Sequence, residues 1–342
     1  MRLFFSISLA CLLVCSCGQG DSNLLKVNVD KALKRQVSCQ DLYSGADVIP
    51  LRYPGETSLG RETRVVMDVA ADRFFILDKE KNEILFFDWS DSFVTSVKCE
   101  GPAIDFSVYQ DQFLDVLTEK AVFEYAIDDG SRSGTYAIRD NDITLKCVAR
   151  VDDDSIDILG YMNGDAYDCG YTIGKDRFYY VARPAPDYPA SHRYIPASEV
   201  ENSRFFRCDG SVYSFLSHSG EIYGYTKDDF LWPAYVFDFG ESSLSVANVQ
   251  KTADRIYLAF ESEGADHVLV YDLAGKGYRV VRQTREGTAF PLGVIYDGSN
   301  YFCCPASSLS RYLPSGQAEK GEMSREEFQQ KLKEKYQAHE ER

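Results

Sequence analysis

The sequence is short of positive charge and of histidine. Its 37 lysine and arginine residues face 53 aspartate and glutamate residues, giving a formal net charge of -16 at neutral pH. Nucleic-acid binding requires clustered basic residues that neutralise phosphates, so the composition argues against a nucleic-acid partner. The 4 histidines are scattered along the chain and no CxxC pair occurs. The sequence therefore predicts neither a metal site nor a cofactor.

Local signatures of catalysis are also missing. The chain contains no P-loop, no HExxH helix and no GxSxG elbow, and it lacks the aspartate box of sialidases. Two acidic stretches, 128–130 and 152–154, lack the alternating oxygen ligands and terminal glutamate of an EF-hand loop. Consecutive acidic residues of this kind are typical of solvated turns. The sequence favours a non-enzymatic protein.

Long hydrophobic runs are missing except at the N-terminus. The apolar stretch from Leu3 to Val14 follows Arg2 and is too short to span a bilayer as a mature helix. It predicts a secretory signal. The run closes on a small residue, Ser16, directly before Cys17, which resembles the lipobox cleaved before a diacylated cysteine.

This motif predicts a lipoprotein. Residues 1–16 would be its signal peptide, Cys17 would carry the lipid, palmitate included, and residues 17–45 would form a tether and N-terminal segment. Several acyl chains would hold the protein on a membrane of the cell envelope. Analogy with sorting signals favours the outer membrane. The alternative is an ordinary signal peptide in which Cys17 is incidental.

A repeated turn indicates the fold. An aspartate-marked turn followed by an alternating apolar strand recurs at spacings of 39 to 55 residues. A period near 45 residues with three or four short strands per unit is typical of β-propellers. A β-sandwich has no reason to repeat its turn chemistry, and a β-helix repeats over a shorter period. We expect an all-β, six-bladed β-propeller over residues 46–310, with turns at Asp72, Asp111, Asp154, Asp209, Asp254 and Asp297.

Three apolar segments carry a resemblance to a known family. The runs 49–51, 73–79 followed by 84–88, and 235–240 look like those of the six-bladed β-propeller lipoproteins of Gram-negative anaerobes, which are similar to NHL-repeat propellers. The resemblance covers roughly Ala46 to Leu309 and implies a fold and an envelope location, without an activity. In such a ring, the segment Val48 to Leu51 would complete the last blade and remove a free sheet edge.

The C-terminal residues 311–342 depart from the strand pattern. Ser324 and Glu327 have the spacing of a capping box, and Phe328, Leu332 and Tyr336 then fall on one stripe of a helix. We therefore expect a charged tail with a short C-terminal helix. This helix would either pack lightly on the propeller or contact a partner.

A proline-rich insertion between the third and fourth units is the predicted ligand site. It contains Tyr188, His192, Arg193 and Tyr194, which could stack on a sugar or peptide and form hydrogen bonds with it. The alternative is an ordinary long connection. The predicted function is a binding or scaffold propeller anchored to the membrane by lipid, with an envelope protein, peptide or glycan as its partner. The alternative function is a hydrolase or lyase acting on polysaccharide or a lactone.

Overall fold

The structure is a computed structural model, and its description covers residues 24–26, 38, 42, 51, 66–70, 72–89, 93–139, 142–162, 165–173, 176–182, 204–208, 211–216, 221–225, 231–238, 245–262, 264–282, 287, 289–296, 298–304 and 311–312. Within these ranges the chain forms 23 β-strands and no helix. The predicted all-β class is confirmed. The predicted C-terminal helix lies outside the described residues.

The strands form six sheets that follow one another along the chain. Sheet 1 contains β2 (Val66–Val69), β3 (Arg73–Asp78), β4 (Glu83–Asp88) and β5 (Phe93–Lys98). Sheet 2 contains β6 (Asp105–Tyr109), β7 (Phe113–Leu117), β8 (Ala121–Ala126) and β9 (Arg132–Ala137). Sheet 3 contains β10 (Thr144–Asp152), β11 (Ser155–Met162), β12 (Asp165–Thr172) and β13 (Arg177–Ala182).

The second half of the chain repeats this arrangement. Sheet 4 contains β14 (Arg204–Cys208), β15 (Ser211–Leu216), β16 (Glu221–Tyr225) and β17 (Leu231–Asp238). Sheet 5 contains β18 (Ser245–Lys251), β19 (Arg255–Ser262), β20 (Ala265–Asp272) and β21 (Gly277–Val281), and sheet 6 contains β22 (Val294–Tyr296) and β23 (Ser299–Tyr301). Successive strands within each of these sheets pair antiparallel, as in a meander.

The first strand of each sheet lies at the centre of a propeller-like ring. Neighbouring sheets contact one another chiefly through these innermost strands, in the order β2, β6, β10, β14, β18 and β22, and β22 also contacts β2. The predicted propeller architecture is therefore confirmed. The repeat arises because each unit is an amphipathic meander that buries its faces only against its neighbours.

Aspartate turns join the first strand to the second, as the repeat predicts. Asp72, Asp111, Asp154 and Asp254 all lie between such strands, whereas Asp209 and Asp297 fall outside the described residues. The turn between β6 and β7 differs from the others, because Asp111 is the one repeat-turn aspartate among the described residues that has a positive φ. Its two central residues, Gln110 and Asp111, have φ angles of 50° and 56°, and aspartate adopts this left-handed region more readily than most residues.

Apolar side chains fill the spaces between adjacent sheets. Phe75 and Phe86 of sheet 1 pack with Leu114 and Val116 of sheet 2, and similar clusters join sheet 2 to sheet 3 and sheet 4 to sheet 5. Because both faces of a sheet are covered, β3 and β4 are almost continuously buried rather than alternating. This packing excludes water from the sheet faces.

The N-terminal segment contributes to the ring in ways that the sequence did not indicate. β1 (Leu24–Lys26) pairs in parallel with β17, at the outer edge of sheet 4. Leu42 packs on the cluster between sheets 5 and 6, and Leu51 packs with Val294 and Tyr301 between sheets 6 and 1. Leu51 is the one described residue of the predicted closing strand, so that pairing stays a prediction.

Candidate functional site

The innermost strands expose one hydrogen-bonding edge to the centre of the ring, because each pairs with its own sheet on one side only. Side chains from the preceding sheet satisfy part of this edge. Asp68 Oδ2 accepts a hydrogen bond from the Val108 amide at 3.0 Å, and Asp105 Oδ2 accepts one from the Val148 amide at 3.1 Å. These bonds join sheet 1 to sheet 2 and sheet 2 to sheet 3.

Amide side chains perform the same role in the second half of the ring. Asn248 Nδ2 donates to the carbonyl oxygens of Leu292 and Gly293, both at 2.9 Å, and Gln250 Oε1 accepts from the Ile295 amide at 3.3 Å. Arg204 links sheet 4 to sheet 5 through Asn248 Oδ1 at 2.9 Å. The centre of the ring is therefore lined with polar side chains that point forward to the next sheet.

Burial raises the pKa values of Asp68 and Asp105, the two aspartates of this lining. It raises the pKa of Asp105 to about 6, although Lys79 and the amide hydrogen bond from Val148 oppose the rise. Burial also raises the pKa of Asp68, against the hydrogen bonds from Val108 and Val69 and the positive charge of Arg207. Both carboxyls consequently take up a proton at higher pH than an exposed aspartate does.

A buried ionic cluster lies between sheets 2 and 3. The Arg150 guanidinium reaches back from β10 and binds Asp115 through Nε at 2.9 Å and Nη2 at 2.7 Å. Nη2 also donates to Glu124, which pairs directly opposite Asp115 in the sheet. Ser133 and Tyr136 donate to the two oxygens of Glu124, at 2.6 and 2.9 Å. We call Asp115, Glu124 and Arg150 the ionic triad.

Two carboxylates share one guanidinium in the triad, and their pKa values diverge. Burial raises the pKa of Asp115 to about 6, opposed by Arg150. Burial acts on Glu124 too, but hydrogen bonds from Ser133 and Arg150 outweigh it and lower the pKa of Glu124. The hydrogen bonds and charge of Asp115 raise the pKa of Arg150 despite burial, so the guanidinium stays charged.

Arg207 occupies the centre of the ring differently from the other polar residues. It comes from β14 in sheet 4, and its Nη2 donates backward to the carbonyl oxygen of Arg150 in sheet 3. Its guanidinium carbon lies 5.6 Å from the ring centroid of Tyr109 in sheet 2. Burial lowers the pKa of Arg207, and the charge of Asp68 in sheet 1 opposes this effect. Arg207 thus interacts with residues of three other sheets.

Polar groups continue from Arg207 to the end of the ring that carries the aspartate turns. The Tyr109 hydroxyl donates to Asp153 Oδ1 at 3.1 Å, and Gln110 Nε2 donates to the Tyr109 hydroxyl oxygen at 2.8 Å. Burial, with the adjacent Asp153, raises the pKa of Tyr109. We call Asp68, Tyr109, Asp153 and Arg207 the central cluster.

The central cluster offers hydrogen-bond donors, acceptors and one guanidinium, which suits the binding of a polar ligand. In the described part of the chain, no group of three or more histidine, cysteine, aspartate or glutamate side chains could hold a metal ion. The predicted ligand residues Tyr188, His192, Arg193 and Tyr194, and the predicted lipidation site Cys17, lie outside the described residues.

Sequence reasoning missed the central cluster, although a signal for it exists. Asp68 and Arg207 each interrupt an apolar run just before an aspartate turn. Such charges look like the solvated face of a strand. Their position on the innermost strand turns them toward the centre of the ring instead.

No family model matches the chain, and no curated protein matches it. An exported protein of Bacteroides fragilis is 13% identical, with a TM-score of 0.49, over 76% of this chain and 79% of its own. A catalytically inactive virginiamycin B lyase of Staphylococcus aureus is 10% identical, with a TM-score of 0.47, over 70% of this chain and 76% of its own. The WD40 domain of Neurospora crassa Pan2 is 12% identical, with a TM-score of 0.41, over 63% of this chain and 64% of its own.

These neighbours are β-propeller proteins. All three scores are below 0.5, so the fold assignment depends on the strand pairing within this chain and no activity is transferred from them. Where the chain is described, it has no helix of the length and hydrophobicity needed to cross a bilayer.

Proposed function

We propose that this chain is a lipid-anchored, six-bladed β-propeller of the cell envelope that binds a polar ligand at the end of its central channel. The observation that carries the binding function is Arg207. Its guanidinium lies among four sheets, yet no carboxylate of the described residues is within ion-pair distance of it. A charged group held in this way is suited to a partner that arrives from outside.

Two observations support six blades. β22 and β23 form a sixth sheet whose first strand contacts both β18 and β2, so the innermost strands form a closed series. Leu51 packs against Val294 and Tyr301 of this sheet, where an added strand from the N-terminal segment would complete it. A ring completed by its own N-terminal strand leaves no free sheet edge there.

The envelope location rests on the lipobox at Cys17. Cys17→Ala should move the protein from the membrane fraction to the soluble fraction of the envelope, and labelling with a palmitate analogue should be lost with it. Asp21→Ala lies in the same segment and provides the control, because it leaves the cysteine intact. Unchanged fractionation of Cys17→Ala would overturn the anchor.

The binding function can be tested with the full chain on native envelope material. We expect a pull-down and a glycan array to identify a protein, peptide or glycan that the wild type retains and Arg207→Gln does not. Arg132→Gln is the matched control, since this exposed arginine pairs with Glu100 at the surface of sheet 2. Equal capture by all three proteins would refute the central cluster as the binding site, and turnover of a captured glycan would indicate an enzyme instead.

A further inference from the structure

The side-chain contacts around Arg207 distinguish it from the residues that join neighbouring sheets. Asp68, Asp105 and Asn248 each satisfy backbone groups on the following sheet. Arg207 donates a hydrogen bond through one nitrogen, Nη2, to the carbonyl oxygen of Arg150 in the preceding sheet. A guanidinium has five N–H donors, and in the described part of the chain Nε and Nη1 have no acceptor. Each two-donor edge of a guanidinium combines Nη2 with either Nε or Nη1, and only one of the two N–H groups of Nη2 is used here, so one edge is available.

The carboxylates nearest to Arg207 are already engaged. Asp68 accepts from the amides of Val69 at 2.8 Å and Val108 at 3.0 Å, one on each oxygen. Asp115 is held by two hydrogen bonds from Arg150. Neither forms an ion pair with Arg207, although their charges act on it at longer range. Arg207 is partly exposed and has no ion pair among the described residues, so an anion that reaches its open edge would gain charge-assisted hydrogen bonds.

The shape and charge of the surroundings select among anions. A carboxylate is planar, carries a single charge and can accept two parallel N–H bonds from one guanidinium edge. A phosphate carries close to two negative charges and would lie beside Asp68, with Asp111 and Asp153 near the end of the ring. The other cation whose charge reaches Arg207 is Arg150, which is already paired with Asp115 and Glu124. The site therefore suits a monoanion.

We infer that the central cluster is a carboxylate-binding subsite, in which the free edge of the Arg207 guanidinium binds the carboxylate of the ligand. Tyr109 supports the guanidinium from one side, and the Gln110 and Asp153 side chains at the end of the ring can bind neighbouring hydroxyl or amide groups of the same ligand. This inference rests on the proposed binding function and specifies its ligand chemistry. A sugar acid and a peptide C-terminus share that chemistry.

Calorimetric titration of the full chain with small probes tests the inference. The acidic probes are D-glucuronate and acetyl-glycyl-glycine, and their neutral counterparts are D-glucose and acetyl-glycyl-glycinamide. We expect one acidic probe to bind while its neutral counterpart does not, and the probe that binds identifies the source of the carboxylate. Arg207→Gln should weaken that binding about tenfold or more, as expected for loss of charge-assisted hydrogen bonds.

Further variants separate recognition from folding. Arg207→Lys keeps the charge but loses the planar fork, so its affinity should lie between those of the wild type and Arg207→Gln. Arg132→Gln should bind as the wild type does, because its partner Glu100 lies at an exposed surface. Unfolding midpoints in urea confirm that the compared variants are folded.

Three results would overturn the inference. These are equal binding of the acidic and neutral probes, tighter binding of inorganic phosphate than of either carboxylate, and unchanged affinity of a folded Arg207→Gln. Absence of binding by all probes would also overturn it. If the wild type still retains an envelope ligand in the pull-down, the proposed function stands while the carboxylate subsite fails.

Discussion

Replacing Arg150 with methionine should destabilise the protein by about 3–5 kcal/mol near pH 8, the cost of removing one partner from a buried ion pair. The arginine side chain is 4% exposed, and its partner Asp115 is 0% exposed. Methionine can fill much of the space of the long side chain, and the cation–π contacts that it removes, with Phe113 and Tyr136 at 5.4 and 5.9 Å from the guanidinium carbon, are themselves electrostatic. The loss is therefore mainly electrostatic.

The structure also predicts how this loss depends on pH. Without Arg150, the two facing carboxylates of Asp115 and Glu124 have lost the cation that they share, and burial then raises the pKa of Asp115 above its present value of about 6. Protonation at lower pH removes that negative charge from the folded variant. The destabilisation caused by Arg150→Met should consequently shrink when the pH falls from 8 to 5.

Urea unfolding followed by circular dichroism at both pH values measures the effect. Arg132→Met is the control, because the Arg132–Glu100 pair is about half exposed, and such surface pairs contribute roughly 0–1 kcal/mol. A loss below about 1 kcal/mol for Arg150→Met at pH 8 would refute the assignment of the triad as a stabilising unit. A loss independent of pH would refute its electrostatic origin.

Three further changes test other parts of the ring. Gly134→Ala would place a Cβ atom 2.9 Å from the Tyr136 hydroxyl oxygen, so we expect a loss of about 1–2 kcal/mol in urea unfolding. The free energy of unfolding of Asp105→Asn, relative to that of the wild type, should be larger at pH 7.5 than at pH 4.5 by about 1–3 kcal/mol. The folded carboxyl, with its pKa of about 6, binds a proton more tightly than the unfolded one, so wild-type stability falls as pH rises toward 6. Asn248→Leu removes two hydrogen bonds to the backbone ahead of β22 and should speed amide hydrogen exchange in sheet 6.

Each of these changes has a control and a contrary result. Gly277→Ala is also a strand substitution, but its Cβ would meet nothing closer than 3.9 Å, so equal losses at both glycines would contradict the contact at Gly134. For Asp105→Asn, a stability difference from the wild type that is the same at both pH values would contradict the raised pKa. For Asn248→Leu, sheet 1 should exchange at the wild-type rate, and unchanged exchange in sheet 6 would show that these bonds do not hold it.

The sequence predicts the strands of the ring well because their signals are local. An aspartate turn and the apolar strand that follows it lie next to each other in the chain, and β3, β7 and β19 do follow Asp72, Asp111 and Asp254. Short hairpins leave little freedom in register. The period then follows from repetition of one local unit.

The polar centre could not be predicted in the same way because its partners are distant. Asp115 alternates with Leu114 and Val116, as a solvent-facing residue does, yet it is fully buried against Arg150, 35 residues away. Alternation identifies two faces of a strand but not whether another sheet covers the polar face. The parallel pairing of β1 with β17 was missed because three residues carry too little pattern.

The pairing of β1 has a consequence for how the ring would stand on a membrane. Under the lipidation proposed for Cys17, seven residues connect the lipid to Leu24, and an extended chain of that length reaches at most about 24 Å. This tether ends on the outer edge of sheet 4, so the lipid would be joined to the rim of the ring. Sheet 4 also carries Arg207, on β14 at its opposite edge, so the proposed anchor and the ligand subsite would lie at the two opposite edges of one sheet.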